Sequence, residues 1–129
     1  MPTVTEEAAW STVATYSGTD AFYPNSQWKP TRKLSQARCD WEMAVEVGAI
    51  DMVPALQFAS DVTDPTTFAN EAIGTRKTAT GVYNPASYTA VGTTSDGKRY
   101  FRTGWLAKSV TDQNHASARA GGTWDLFFE

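Results

Sequence analysis

The stretch "ARCDWEMAVEVGAI", from Ala37 to Ile50, constrains the fold more than any other part of the chain. Every second residue from Ala37 to Val47 is apolar or cysteine, and four of the five positions between them are charged. A period of two is typical of an antiparallel strand with one face on a core and the other in water. A helix would need apolar positions three and four apart. The stretch therefore predicts a β-strand that is buried on one side.

Other segments repeat this pattern between turn signals. They are "WSTVATY" (residues 10–16), "VPALQFAS" (53–60), "KRYFRTGWLAKS" (98–109) and "SARAGGTWDLFFE" (117–129). The segment 21–34 contains two prolines, which favour a connection or an edge strand over a central one. We expect residues 39–47 and 53–59 to pair as a hairpin.

About six to eight short strands with almost no helix predict an all-β chain, a single antiparallel β-sandwich or jelly roll. A closed small barrel is the alternative architecture. The 129 residues suit one domain. Residues 1–9 are polar and lack a period, so we expect a short N-terminal arm there and the β-sandwich domain over residues 10–129.

Charge and hydropathy exclude several classes of partner. The net charge is −3 and the pI is near 5.1, which disfavours nucleic acid and anionic membrane surfaces. No apolar run approaches the roughly 20 residues of a membrane span. The start "MPTVTEEAAW" has two glutamates and no apolar run resembling a signal peptide, so we expect a protein that stays in the cytosol or leaves it by a route other than a cleaved signal.

No set of residues predicts catalysis, a metal site or a cofactor site, and we expect a protein that is not an enzyme. His115 is the only histidine, and a solvated loop explains it better than a catalytic triad. Asp61 and Asp64 fit ordinary turn chemistry, with a calcium site as the less favoured alternative. The single cysteine, Cys39, lies on the apolar face of its strand and is expected to be buried and inert.

The aromatic and basic residues are the best candidates for binding. Trp41, Trp105 and Trp124 alternate within strands and are expected to form the core. Other aromatics fall in loops or edges, beside a small basic cluster, and such residues are enriched at protein interfaces. The candidate interface consists of Trp10, Tyr23, Trp28, Lys29, Arg32 and Lys33. Exposed rings, including Tyr83 and Tyr88, could alternatively stack on sugars.

Two short motifs carry a resemblance over residues 37–128. Gln57 is followed by Ser60 and Asp61, with one residue more between Gln and Ser than in the pattern "Q-x-S-D". Arg102, Gly104 and Trp105 match "R-x-G-W". In these features the chain resembles the small β-sandwich structural proteins of tailed bacteriophages, of the head-decoration or head–tail accessory type.

The resemblance implies a non-enzymatic structural component of a phage-like virion, assembled in the host cytoplasm. Such a protein decorates or stabilises the capsid, or joins head and tail parts, through contacts with viral capsid or tail proteins and with itself as a homo-oligomer. The alternative is a carbohydrate-binding β-sandwich module or a host-surface receptor-binding protein.

Overall fold

The computed structural model describes residues 3–110 and 115–129. Its strands are β1 (Thr3–Thr15), β2 (Ala21–Pro24), β3 (Lys29–Pro30), β4 (Leu34–Val47), β5 (Ile50–Ala59), β6 (Ala69–Ala72), β7 (Gly81–Tyr83), β8 (Thr89–Ala90), β9 (Tyr100–Ser109) and β10 (Ala116–Phe128). Short 3-10 turns occupy Pro65–Thr67 and Gly92–Ser95. Within the described ranges, no helix has the length and apolar character needed to span a membrane.

The strands form two separate five-stranded antiparallel sheets that pack together. Sheet A has the order β1-β10-β4-β7, with β8 also paired to β4. Sheet B has the order β2-β9-β5-β6, with β3 also paired to β9. The predicted all-β sandwich is therefore confirmed, and the closed barrel is not the architecture. The proline-containing segment 21–34 supplies β2 and β3 at an edge of sheet B, as its prolines indicated.

One large core fills the space between the sheets, and the predicted alternation decides which side chains enter it. Trp41 from sheet A meets Trp105 from sheet B with ring centroids 5.5 Å apart. Trp124 is fully buried on β10. The three tryptophans that the sequence placed in the core are thus all buried there. Val53, Ala55 and Leu106 form a second, smaller cluster on the outer face of sheet B.

The predicted hairpin between residues 39–47 and 53–59 is wrong. β4 pairs with β10, β7 and β8 in sheet A, whereas β5 pairs with β9 and β6 in sheet B. The chain crosses between sheets at Gly48, whose φ is +63°. A Cβ at this position would lie 2.5 Å from the carbonyl oxygen of His115. Alternation defines the buried face of a strand but not its partner, and the partners here come from distant sequence.

The first strand begins earlier than its sequence pattern indicates. The sequence predicted an arm over residues 1–9, but Thr3–Ala9 lie in β1, where residues 3–8 pair with residues 122–127 of β10. The long strand β10 provides the pairing partner for residues 3–8, and the polar N-terminal sequence alone does not indicate this pairing. A register shift between Ala8 and Ser11 then places Trp10 in a bulge. Residues 1–2 of the predicted arm lie outside the described part of the chain.

Candidate functional site

The predicted interface residues belong to β1, β2, β3 and the connections next to them, but their side chains do not all reach one surface. On one lateral side of the sandwich β1, the edge of sheet A, faces β2 and β3, at the edge of sheet B. Asn25 ties the two edges together, because its side-chain amide donates to the carbonyl of Ala9 at 3.1 Å and to the hydroxyl of Ser11 at 3.3 Å. We call this region the β1–β3 side.

An open cleft of about 430 Å³ lies between the sheets on the β1–β3 side. Its lining is mostly apolar, and the apolar residues are Val4, Pro30, Phe101, Leu126 and Phe128. Its charged lining residues are Glu6, Lys29, Arg32 and Glu129. Val4 is 45% exposed although its side chain faces the cleft. Sheet A thus extends past the cover of sheet B here, and leaves inner-face apolar surface in contact with water.

An ion pair between Glu6 and Lys29 bridges β1 and β3 across the cleft. The Glu6 Oε2 atom contacts Lys29 Nζ, and the Glu6 side chain is mostly buried. Its second oxygen, Oε1, is buried and has no hydrogen-bond partner within the described part of the chain. A buried acceptor without a partner carries a desolvation cost. This oxygen is enclosed in the contact between β1 and β3, so its cost falls on the fold at this place.

A strained turn joins β3 to β4 beside the cleft. Arg32 and Lys33 have φ values of +43° and +60°, and the N–H of Leu34 donates to the carbonyl of Thr31 at 2.9 Å. Positive φ at both central residues is the pattern of a type I′ turn, which favours Asn and Gly. The left-handed conformation costs about 1–2 kcal/mol for each ordinary residue. The turn nevertheless carries two exposed cations.

Trp10 lies on the outer face of sheet A and is 46% exposed. The Arg119 guanidinium carbon is 5.5 Å from the centroid of its ring. Gly121 lies beneath it, where a Cβ would approach the Trp10 backbone to 3.1 Å. A shallow trough of about 170 Å³ separates Trp10 from two carboxylates, Asp40 and Glu42. Of the other rings proposed for sugar stacking, Tyr83 packs on the core and Tyr88 packs beside Arg38.

Trp28 and Tyr23 do not join the cleft. Tyr23 packs against the main core. Trp28 packs against Phe68, with ring centroids 5.1 Å apart, and covers the guanidinium of Arg102 at 4.3 Å. The structure therefore brings together Lys29 and Arg32 at the cleft, with Lys33 beside them, while Trp10 and Trp28 belong to different surfaces.

Sequence reasoning missed the apolar half of the site. Val4 and Glu6 fell in the predicted arm, and Phe128 was counted with the last strand. The only sequence signal is that Val4, Glu6 and Ala8 are spaced two residues apart, and a stretch this short does not indicate a strand. The motif residues Gln57 and Arg102, in contrast, lie directly opposite each other on β5 and β9.

The remaining polar candidates have local partners. The ring of His115 stacks on Tyr16 with centroids 4.7 Å apart. Asp61 accepts from both the N–H and the hydroxyl of Thr63, and these bonds lower the pKa of its carboxyl group. Asp64 accepts from Thr66 in the same way. Both aspartates thus make the hydrogen bonds that aspartates make in ordinary turns. Residues 3–110 and 115–129 hold no group of three or more His, Cys, Asp or Glu that could bind a metal.

Comparison with known proteins adds no relative: no protein-family model, curated protein or solved structure matches the chain.

Proposed function

We propose that this protein is a non-enzymatic structural component of a phage-like virion, which assembles through its β1–β3 side. The observation that carries the proposal is the strained basic turn at Arg32 and Lys33, beside an open apolar cleft. In this proposal the protein decorates or stabilises the capsid, or joins head and tail parts, and its partners are capsid or tail proteins and further copies of itself. Assembly takes place in the host cytoplasm.

The turn supports a binding role because Arg32 and Lys33 are residue types that its left-handed backbone conformation disfavours. Strained conformations concentrate at functional positions, where the surrounding structure maintains them. Here the N–H of Glu129 donates to the carbonyl of Lys33 at 3.0 Å, which fixes the turn against the end of the chain. Asparagine and glycine would satisfy the backbone more easily. The presence of Arg and Lys is explained if their charges contact a partner.

The charges around the cleft favour a second copy of the chain as one partner. Cations at Lys29 and Arg32 lie beside carboxylates at Glu6 and Glu129 around one apolar surface, and Lys33 is exposed in the adjacent turn. A two-fold contact places the same patch on both copies, so a patch with both signs complements itself. The apolar residues of the two clefts then exclude water together. This arrangement supports a homo-oligomer.

Among the described strands β1 pairs only with β10, and its other edge adds a second means of contact. β1 has 13 residues, whereas β2, β3, β6, β7 and β8 have two to four each. An unpaired edge strand is a template for pairing with another chain. The bulge at Trp10 and the charges of Glu6 and Glu7 interrupt this edge and restrict where a neighbour can pair. The resemblance to phage head proteins supports the virion as the place of assembly.

The test replaces the strained turn by its preferred sequence, in the double variant Arg32→Asn with Lys33→Gly. We expect the melting temperature to rise, because relief of positive φ stabilises the fold by about 1–2 kcal/mol. We expect self-association, measured by sedimentation velocity, to weaken because two interface cations are lost. The control Lys108→Asn removes a half-exposed cation at the end of β9 that lies away from the cleft and should change neither. A variant that is stabilised and still assembles fully would contradict the role of the turn.

Sugar binding is the second candidate function, and the exposed ring of Trp10 favours it. Exposed aromatic rings can stack on sugars, and the carboxylates of Asp40 and Glu42 across the trough can accept hydrogen bonds from hydroxyl groups. A screen of immobilised glycans with the wild-type protein and Trp10→Ala tests it. Glycan binding that disappears in Trp10→Ala would support this function, and the absence of binding by the wild type would count against it.

A further inference from the structure

We propose that Arg102, on the outer face of sheet B, is a binding site for a carboxylate group. This site lies away from the cleft and goes beyond the assembly role proposed for the β1–β3 side. Arg102 belongs to the outward-facing set of β9, because Phe101, Thr103 and Trp105 point into the core. The inference rests on how the guanidinium group is held and on which of its donors are left free.

Aromatic rings surround the guanidinium group. Its central carbon lies 4.3 Å from the centroid of the Trp28 ring, 5.7 Å from that of Phe22 and 5.8 Å from that of Phe68. Contacts of this kind stabilise a cation by its attraction to the ring faces. They also limit the rotation of a long side chain, so the direction of its donors is fixed before any ligand arrives.

A polar chain fixes the group from the side of β5. The Nε–H of Arg102 donates to Gln57 Oε1 at 2.9 Å. The amide nitrogen of Gln57 in turn donates to Asn70 Oδ1 at 3.0 Å on β6. Gln57 is buried, and its amide can face only one way while it makes both bonds. Three neighbouring strands therefore determine the position of one guanidinium group.

The two terminal nitrogens of Arg102 form a free fork. Arginine carries five N–H donors, and only the one on Nε has a hydrogen-bond partner within residues 3–110 and 115–129. Both terminal nitrogens are accessible to water, since the buried polar atoms that lack a partner do not include them. No acidic side chain of the described residues forms an ion pair with Arg102. Burial lowers the pKa of Arg102, and no carboxylate offsets that effect.

The surroundings select a carboxylate rather than a phosphate. A free guanidinium fork matches two oxygens of either group. One carboxylate neutralises one arginine, whereas a phosphate dianion would leave a negative charge beside three aromatic rings, where it is poorly solvated. The rings also offer apolar contact to the carbon atoms next to a carboxylate. An aspartate or glutamate side chain of a partner protein has this chemistry.

The test is a titration of the full ¹⁵N-labelled chain with sodium propionate at constant ionic strength. The readout is the Nε–Hε resonance of Arg102, which is assigned by its loss in Arg102→Lys. We expect a saturable shift of this resonance and no saturable shift of Arg99, which is exposed. The same titration with inorganic phosphate is expected to give no saturable shift. Failure of propionate to produce saturation, or an equal response at Arg99, would overturn the proposal.

A second variant tests the site without removing the arginine. In Gln57→Glu a carboxylate of the chain itself accepts the Nε–H bond and compensates the charge, and Asn70 can turn its amide to donate to it. We expect the propionate response of Arg102 to be strongly reduced while its resonance remains observable. An undiminished response in Gln57→Glu, or a phosphate response as large as that of propionate, would contradict the carboxylate site.

Discussion

At the scale of single residues, the chain behaves as its alternating pattern predicts. Trp41 is buried on one side of β4, whereas its neighbour Glu42 faces water on the other side. The burial of Cys39 follows from the same alternation. These placements could be read from the sequence because successive side chains of a strand must point to opposite faces.

Trp41 provides the sharpest test of the core. Its ring packs on Trp105 and lies 5.0 Å from the centroid of Tyr83, so truncation removes contacts in both sheets. We expect Trp41→Ala to lower the free energy of unfolding by about 3–5 kcal/mol. The neighbouring exposed change Glu42→Gln should alter it by less than about 0.5 kcal/mol. Urea denaturation followed by circular dichroism measures both, and similar losses in the two variants would contradict the assigned faces.

Cys39 tests burial by chemistry rather than by stability. Burial raises the pKa of its thiol group far above the ordinary value, with smaller contributions from Asp40 and Asp125. The thiolate is the reactive form, so the folded protein should resist alkylation. We expect iodoacetamide at neutral pH to leave the native chain unmodified in intact-mass spectra, and to add one group after denaturation. Rapid labelling of the native protein would show that this face of β4 is open.

At the scale of elements, the sequence predicts strands better than it predicts their partners. β4 and β9 could be located from alternation and turn signals, and their buried faces were correct except at Val47, which is 43% exposed at the end of β4. The pairing of β4 with β10 could not be predicted, because it joins residues that are far apart in sequence and depends on how the complete sheets fit together. Short strands such as β7 and β8 pair with β4, whose 14 residues provide a long template. The first half of β1 escaped detection for the same reason.

Gly122 shows how closely two of these strands approach. A Cβ at this position would overlap the carbonyl oxygen of Asp40 and would lie 2.7 Å from the Cα of Trp41, and both are backbone atoms that cannot move aside. We expect Gly122→Ala to destabilise the fold by about 1–3 kcal/mol. The adjacent Thr123→Ala adds no such overlap and should cost much less. Thermal unfolding compares the two, and equal melting temperatures would refute the close approach of β10 and β4.

At the scale of the whole molecule, the sandwich leaves its two lateral sides unlike each other. The β1–β3 side carries the long edge strand, the apolar cleft and the strained turn. The basic half of this site could be predicted, because Lys29, Arg32 and Lys33 lie within five residues of each other in the sequence. Its apolar half could not, since Val4 and Phe128 meet Phe101 only after the two sheets pack. Trp28 was chosen as an interface candidate by residue type, and the fold places it over Arg102 instead of at the cleft.

The central claim is that copies of this chain assemble through the β1–β3 side. The measurement that tests it most directly is the molar mass in solution by light scattering over a concentration series. It compares the wild type with Val4→Glu, which puts a charge in the cleft, and with Val82→Glu. Val82 is 63% exposed and lies on β7 at the opposite edge of sheet A, so it serves as a matched control.

We expect the wild type and Val82→Glu to form the same discrete oligomer, and Val4→Glu to remain a folded monomer, because an unpaired charge disfavours burial of the cleft. A wild-type protein that is monomeric at every concentration, or an oligomer that Val4→Glu leaves intact, would contradict the account.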